Sequence, residues 1–368
     1  AALVAITPPT IGFQAGSVFG LQSYLIYLGC NGTVGWSVSN APGDVVSAGA
    51  GAARVTNQKL LCGLPLRGGG NSPAALLWSV DSLIRMFFVG GGPVWQFDTL
   101  SSQISVMGPN TIIEYDGIYY WMGVDRFQMF NGVYQELDND LNLNFLFDNF
   151  NYSVRGKAYA FKVPRFGEIW WCVPMFGSTE PNWAIIFNVR ESRRLGYPVW
   201  YDTPLPDDGR GAAHYAQASR LPIMTSTTPV PGTNTYALWQ HETGVDRVEG
   251  SSTLAIQSYF ETGDISFTTN EKSPSNASLR VEFIEPDFVQ SGDMICYVSG
   301  RANARSEQIY SAPKIFPPGP GPKEIQLVNF REVRRELRFK FESNVVGGDY
   351  QMGQCLAQIS PDNSRVRT

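Results

Sequence analysis

The chain has 368 residues, of which 43% are hydrophobic, 13% aromatic and only 17% charged, with a net charge of −5. That balance excludes a sequence-independent nucleic-acid binder, which needs clustered excess Lys and Arg. The 37 Gly and 24 Pro follow no fixed short period, which excludes collagen and favours short strands joined by tight turns.

From the N-terminal end, the Ala1–Ala5 start lacks a basic region ahead of an apolar run, so no signal peptide is expected. No stretch reaches the length of a membrane span. One local unit then recurs: β-branched and aromatic residues, a Gly-containing turn, and another such run. It reads as Ser23–Leu28, a Cys30-Asn31-Gly32 turn and Val34–Val38, then as Leu83–Val89, Gly90–Gly92 and Val94–Phe97. It continues as Thr111–Tyr115, Asp116-Gly117 and Ile118–Met122, followed by Phe127–Phe130, Asn131-Gly132 and Val133–Leu137. Asp-Gly and Asn-Gly between strands predict two-residue type I′ turns, which need positive φ at both positions. A short helix is expected within Asn139–Asn151. Further hairpins follow as Tyr159–Val163 with Glu168–Val173, Ala184–Val189 with Val199–Tyr201, and Tyr236–His241 leading to Val248.

Trp36, Trp78, Trp95, Trp121, Trp171, Trp200 and Trp239 sit in or beside these units. Repeated hairpins with an aromatic per unit are the pattern of β-propeller blades at roughly 40–50 residues each. Residues 1–250 therefore read as a β-propeller-like domain, with a stack of unrelated sandwiches as the rival.

From about residue 251 to 368 the texture becomes that of a C-terminal antiparallel β domain. Its strands read as Leu254–Phe260, Leu279–Phe283, Met294–Val298, Glu324–Val328, Glu336–Phe341 and Gln354–Ile359, with a Pro/Gly-rich linker at 316–322 expected to be extended and exposed. Leu337, Phe339 and Phe341 alternate with Glu336, Arg338 and Lys340, giving a strand with one wet face. Arg334, Arg335, Arg338 and Lys340 form a basic strip in a chain that is acidic overall. They are the interface candidates, for an acidic neighbouring subunit.

Catalytic chemistry has little material. Two histidines, His214 and His241, cannot build a His-based metal site, and His241-Glu242 lacks a second His four residues on. Cys30, Cys62, Cys172, Cys296 and Cys355 show no zinc spacing and read as thiols of a reducing cytoplasm. Gly68–Gly70 and Gly90–Gly92 read as turns rather than phosphate cradles. Glu114, Asp116, Asp125 and the Asp207-Asp208 pair are the carboxylates a glycosidase would need, but nothing orders two of them as acid and nucleophile. No catalytic residue, cofactor or metal is expected.

Several strings then carry a resemblance. They are Pro65–Pro73, Ile113–Trp121, Asp125-Arg126-Phe127 with Phe130-Asn131-Gly132, Gly167–Trp171, Leu238–Gly244, Ile284–Phe288 and Phe341–Asn344 through Gly347–Gly353. Together and in order, from about residue 60 onward, they resemble the tail hub or nozzle proteins of short-tailed bacteriophages. The resemblance implies a virion structural protein made in the host cytoplasm, a propeller in each subunit, and a homohexameric ring. It further implies a head-to-tail adaptor and tail fibre or receptor-binding proteins as partners, and genomic DNA passing through the lumen without sequence-specific binding. The alternative is a carbohydrate-binding or glycan-cleaving propeller acting as a receptor-binding tail component. Buried Trp side chains favour the first reading, and exposed Trp beside carboxylates the second.

Overall fold

The computed structural model describes residues 14–67, 73–91, 94–206, 209–216, 218, 220–230, 232–266, 278–301, 305–319 and 326–362. The protein is all-β, and the chain parts after Glu242 into two units, slightly ahead of the boundary expected at 250.

Short apolar runs punctuated by tight turns make each group of strands fold back on itself, so the first unit is a series of antiparallel meanders. The first sheet holds β1 (Gln14–Leu21), β2 (Tyr24–Gly29), β3 (Thr33–Trp36) and β4 (Gly51–Arg54). The second holds β5 (Leu60–Pro65), β6 (Ala74–Ser79), β7 (Leu83–Phe88) and β8 (Trp95–Ser101). The third holds β9 (Ile112–Tyr115), β10 (Ile118–Met122), β11 (Phe127–Phe130) and β12 (Tyr134–Leu137). The fourth holds β13 (Tyr159–Val163), β14 (Glu168–Val173), β15 (Trp183–Asn188) and β16 (Trp200–Pro204). The fifth holds only β17 (Arg210–Ala216), β18 (Leu221–Pro229) and β19 (Tyr236–Gln240). The sheets start at 14, 60, 112, 159 and 210, a propeller-like repeat of 46 to 52 residues. Among the described residues, two short α-helices interrupt the series, α1 (Leu143–Asn149), inside the segment expected to be helical, and α2 (Val189–Leu195). Asn188 caps α2 by accepting the Glu191 N–H, and Gly196 closes it at φ 80°.

Apolar cores fill the joints between successive sheets. Leu21 and Ile26 meet Leu77 and Ile84, and Trp78 meets Tyr119 and Trp121. Phe127 meets Trp171 and Trp200, and Phe161 meets Met224. Burial on both faces explains strands without alternation, such as β14, whose six residues are all buried. Trp78, Trp121 and Trp171 occupy the second strand of the second, third and fourth sheets, each fully buried.

The second unit opens with a ribbon of β20 (Asp246–Glu249) and β21 (Ser252–Ala255), followed by two facing sheets. One orders β22 (Ser258–Glu261), β28 (Glu336–Ser343), β24 (Met294–Arg301) and β25 (Ile309–Tyr310), with β26 (Lys314–Phe316) also paired to β24. The other orders β27 (Val328–Arg334), β23 (Ser278–Gln290) and β29 (Tyr350–Asp362). Leu279, Ile284, Cys296, Phe330, Phe339 and Phe341 fill the space between them.

One turn forms as expected, and several other expectations change. Tyr115 pairs with Ile118, and Asp116 (φ 52°) with Gly117 (φ 79°) makes the two-residue turn with positive φ at both positions. Asn131-Gly132 does not, because Phe130 pairs with Tyr134 across three residues, with φ positive only at Gly132 (112°). Leu254–Phe260 is broken between β21 and β22. Phe316 is buried in the sandwich core, so the segment from 316 starts as a strand end rather than a free linker, and exposure begins only at Pro317. Gly68–Gly70, Asn71-Ser72, Gly92, Asp207-Asp208, residues 320–322 and the 324–325 start of the expected Glu324–Val328 strand lie outside the described residues.

Candidate functional site

The four interface candidates lie on β28 and the corner before it. Alternation along β28 buries Leu337, Phe339, Phe341 and Ser343 and turns Glu336, Arg338, Lys340 and Glu342 to the wet face. Antiparallel pairing then sets Arg338 opposite Ser299 and Lys340 opposite both Tyr297 and Glu261. The Arg338 guanidinium donates to both oxygens of Asp264, with Nη2 at 3.1 Å from Oδ2, and its Nη1 lies 3.9 Å from Glu261. Arg301 donates to the same Asp264 at 2.6 Å and to Glu336 at 2.7 Å. Hydrogen bonds from Arg338 and then Arg301 hold the Asp264 carboxyl down at about 2 despite partial burial.

Lys340 pairs with Glu342 at 3.1 Å, and its ammonium faces the rings of Tyr259, Tyr297 and Tyr310 at 4.8, 5.7 and 5.9 Å. Arg334 pairs with Glu332 at 2.8 Å and donates to the Val333 carbonyl at 2.9 Å. Arg335 is exposed and has no ion pair among the described residues. The strip that is basic in sequence is thus a mixed-charge lattice within its own unit, and Arg335 is the candidate left facing outward.

Three of the carboxylates considered for catalysis, Glu114, Asp116 and Asp125, are tied down. Burial alone would raise the Glu114 carboxyl, but the Gly117 amide, Lys162 and Arg67 outweigh it and hold it below the ordinary range. Asp125 is held low chiefly by its hydrogen bonds from Arg126, and Asp116 pairs with Arg193 at 3.1 Å. His214 is exposed on β17, where Phe161, Lys162, Ala213 and Tyr215 line a groove of about 520 Å³ with it.

A buried polar group that sequence reasoning missed lies between the fourth and fifth sheets. Glu168 accepts from the Tyr201 hydroxyl on one oxygen and from Trp170 Nε1, at 2.9 Å, on the other. Nearby, burial and then the charge of Glu168 raise the Glu242 carboxyl. The buried Arg210 donates Nε–H to His241 and lies over the Trp239 ring at 5.4 Å. The available signal was Glu168 itself, the one charged residue of the run Glu168–Val173. Among the described residues, no group of three or more His, Cys, Asp or Glu is placed to hold a metal ion, and no helix is long and apolar enough to cross a membrane.

No family model matches the chain, and no curated protein matches it. Among solved structures, it is similar at 10% identity to a protein assigned as a 6-phosphogluconolactonase from Bacteroides uniformis, over 61% of this chain and 68% of that one, with a TM-score of 0.40. The AfRom2 CNH domain aligns at 12% identity over 70% and 77% of the two chains, TM-score 0.37. A family 43 arabinoxylan arabinofuranohydrolase from Bacillus subtilis aligns at 8% over 94% and 79%, TM-score 0.21. Likeness this distant carries no statement about what the present chain does.

Proposed function

We propose that this chain is a virion structural protein, a tail hub or nozzle subunit that assembles with copies of itself into a ring around the DNA channel. The supporting observation is the apolar surface left open on the second unit. Fourteen large hydrophobic side chains between Val245 and Leu356 are exposed among the described residues, including Tyr259, Phe260, Ile315, Met352 and Leu356. Exposed apolar side chains in this number are material for a surface that an assembly covers. The full burial of Trp78, Trp121 and Trp171 between sheets also supports a rigid building block over an aromatic ligand platform. Light scattering with negative-stain imaging of the purified chain tests the proposal: rings are expected, and a monodisperse monomer at high concentration would refute it.

A second reading, a carbohydrate-binding or glycan-cleaving propeller acting as a receptor-binding tail component, rests on Glu168 and Glu242. One is a hydrogen-bonded carboxylate and the other a carboxyl with a raised proton affinity, the kind of asymmetry glycoside hydrolysis uses. Turnover of a glycan panel abolished by both Glu168→Gln and Glu242→Gln would favour it, and no turnover is expected on the structural reading.

A further inference from the structure

The last strands of the first four sheets each carry a charged residue, Arg54 in β4, Asp98 in β8, Glu136 in β12 and Asp202 in β16, whereas at the opposite edges β1 and β5 carry none. A charge on an exposed strand edge guards against pairing with another chain. The fifth sheet breaks this pattern twice. Among the described residues it has three strands where the others have four, and its last strand, β19, reads Tyr-Ala-Leu-Trp-Gln with no charge. β19 pairs with β18 alone, and its Tyr236 and Leu238 are 61% and 67% exposed.

The second unit has a matching feature. β29 runs for 13 residues at the edge of its sheet, paired with β23 alone. From Tyr350 to Pro361 it contains no charged residue, and the one proline that could block pairing stands at its far end. Met352 and Leu356 are 40% and 54% exposed. A long, uncharged, open edge of this kind is a template for another strand.

We propose that β29 of one subunit adds to β19 of a neighbouring subunit, supplying a fourth strand to the fifth sheet. The inference rests on the ring reading and names the contact that builds it. The occupant is a second copy of this chain because each edge needs an uncharged strand, and the chain carries both halves. The 12 charge-free residues of β29 can be laid along the five of β19 in several registers without burying an unpaired charge. The last strands of the other four sheets, which hold the place of β19, would each bury one. A contact between two different edges is heterologous, so it propagates from subunit to subunit and closes into a ring when the rotation allows.

The test uses the full chain in two variants, Leu238→Cys and Leu356→Cys, separately tagged, mixed and treated with a short bismaleimide. A covalent dimer bearing both tags is expected, at least tenfold above the yield from either variant mixed with wild type. In parallel, Leu238→Lys and Leu356→Lys should each retain the wild-type circular dichroism spectrum yet lose rings. Rings that persist in both folded lysine variants, or rings without the mixed-tag cross-link, would overturn strand addition while leaving the ring reading intact. A wild-type chain that forms no rings would overturn both.

Discussion

Arg210 donates its Nε–H to His241 Nε2 at 3.1 Å, which fixes the imidazole as an acceptor at that nitrogen and therefore as the neutral ring. Burial first, and the adjacent guanidinium second, depress its proton affinity to about 4. The unfolded imidazole titrates near 6.5. Between those values the unfolded chain binds the extra proton, so stability falls as pH drops through that window and is fully present above it. Because the ring is only half-buried, the expected loss is about 1–2 kcal/mol. Urea midpoints at pH 7 and pH 4.5 measure it, and His241→Gln should flatten this part of the slope. An unchanged slope in that variant would place the titration elsewhere.

The three buried tryptophans differ in what their indole N–H groups reach. Trp121 donates to Gln128 at 2.6 Å and to the Ser105 carbonyl at 3.1 Å, and Trp171 donates to the Thr111 carbonyl at 2.9 Å. Trp78 Nε1 is buried with no partner. Truncation of Trp121 or Trp171 to Ala is expected to cost about 3–5 kcal/mol. Replacement by Phe separates packing from hydrogen bonding. Trp121→Phe leaves Gln128 Oε1 with only the Ser105 amide at 3.4 Å and should cost about 1 kcal/mol more than Trp78→Phe, which removes an already unsatisfied donor. Equal losses in chemical denaturation would contradict this.

Gly117 and Gly132 both sit at positive φ, 79° and 112°, in two of the three hairpins of the third sheet, and open space surrounds both. Replacement by Val therefore meets backbone strain rather than collision. Each variant should lose about 1–3 kcal/mol. Gly→Asn separates the two, because Asn tolerates the left-handed region near 79° far better than 112°. Thermal melts of the two Asn variants should rank Gly117→Asn as the milder.

Much of the fold was legible because blade strands carry local signals. Asp116-Gly117 fixes its own turn, and Phe127–Phe130 declares a strand by side-chain type alone. Arg210–Ala216 and Leu221–Pro229 were missed because their small, Thr- and Pro-containing sequence resembles a loop and becomes strand only by packing on the fourth sheet. The reach of β29 was underread for a related reason: its Gly and Gln residues gain strand geometry from β23 rather than from their own preference. The charged face shows a different limit. Arg338 and Lys340 are visible as a wet strand face, but Asp264, which neutralises Arg338, lies 74 residues upstream and meets it only through the tertiary fold.

That partnership separates the four basic candidates experimentally. Arg338 is bound to Asp264 through two hydrogen bonds and lies beside Glu261, so Arg338→Glu would set three carboxylates together on one sheet face. It should destabilise the second unit by about 1–3 kcal/mol, visible as an earlier unfolding transition. Arg335 is exposed at the corner between β27 and β28, with no ion pair among the described residues, so Arg335→Glu should leave the melting curve unchanged. If the basic strip steers an acidic neighbouring subunit, its effect belongs to the free charge at Arg335, because charges already paired contribute little long-range field. Arg335→Glu is therefore expected to slow ring formation several-fold at low salt, with the difference shrinking as ionic strength rises. Stopped-flow light scattering across a salt series measures this. Assembly of Arg335→Glu at the wild-type rate in low salt would show that the basic strip has only a structural role.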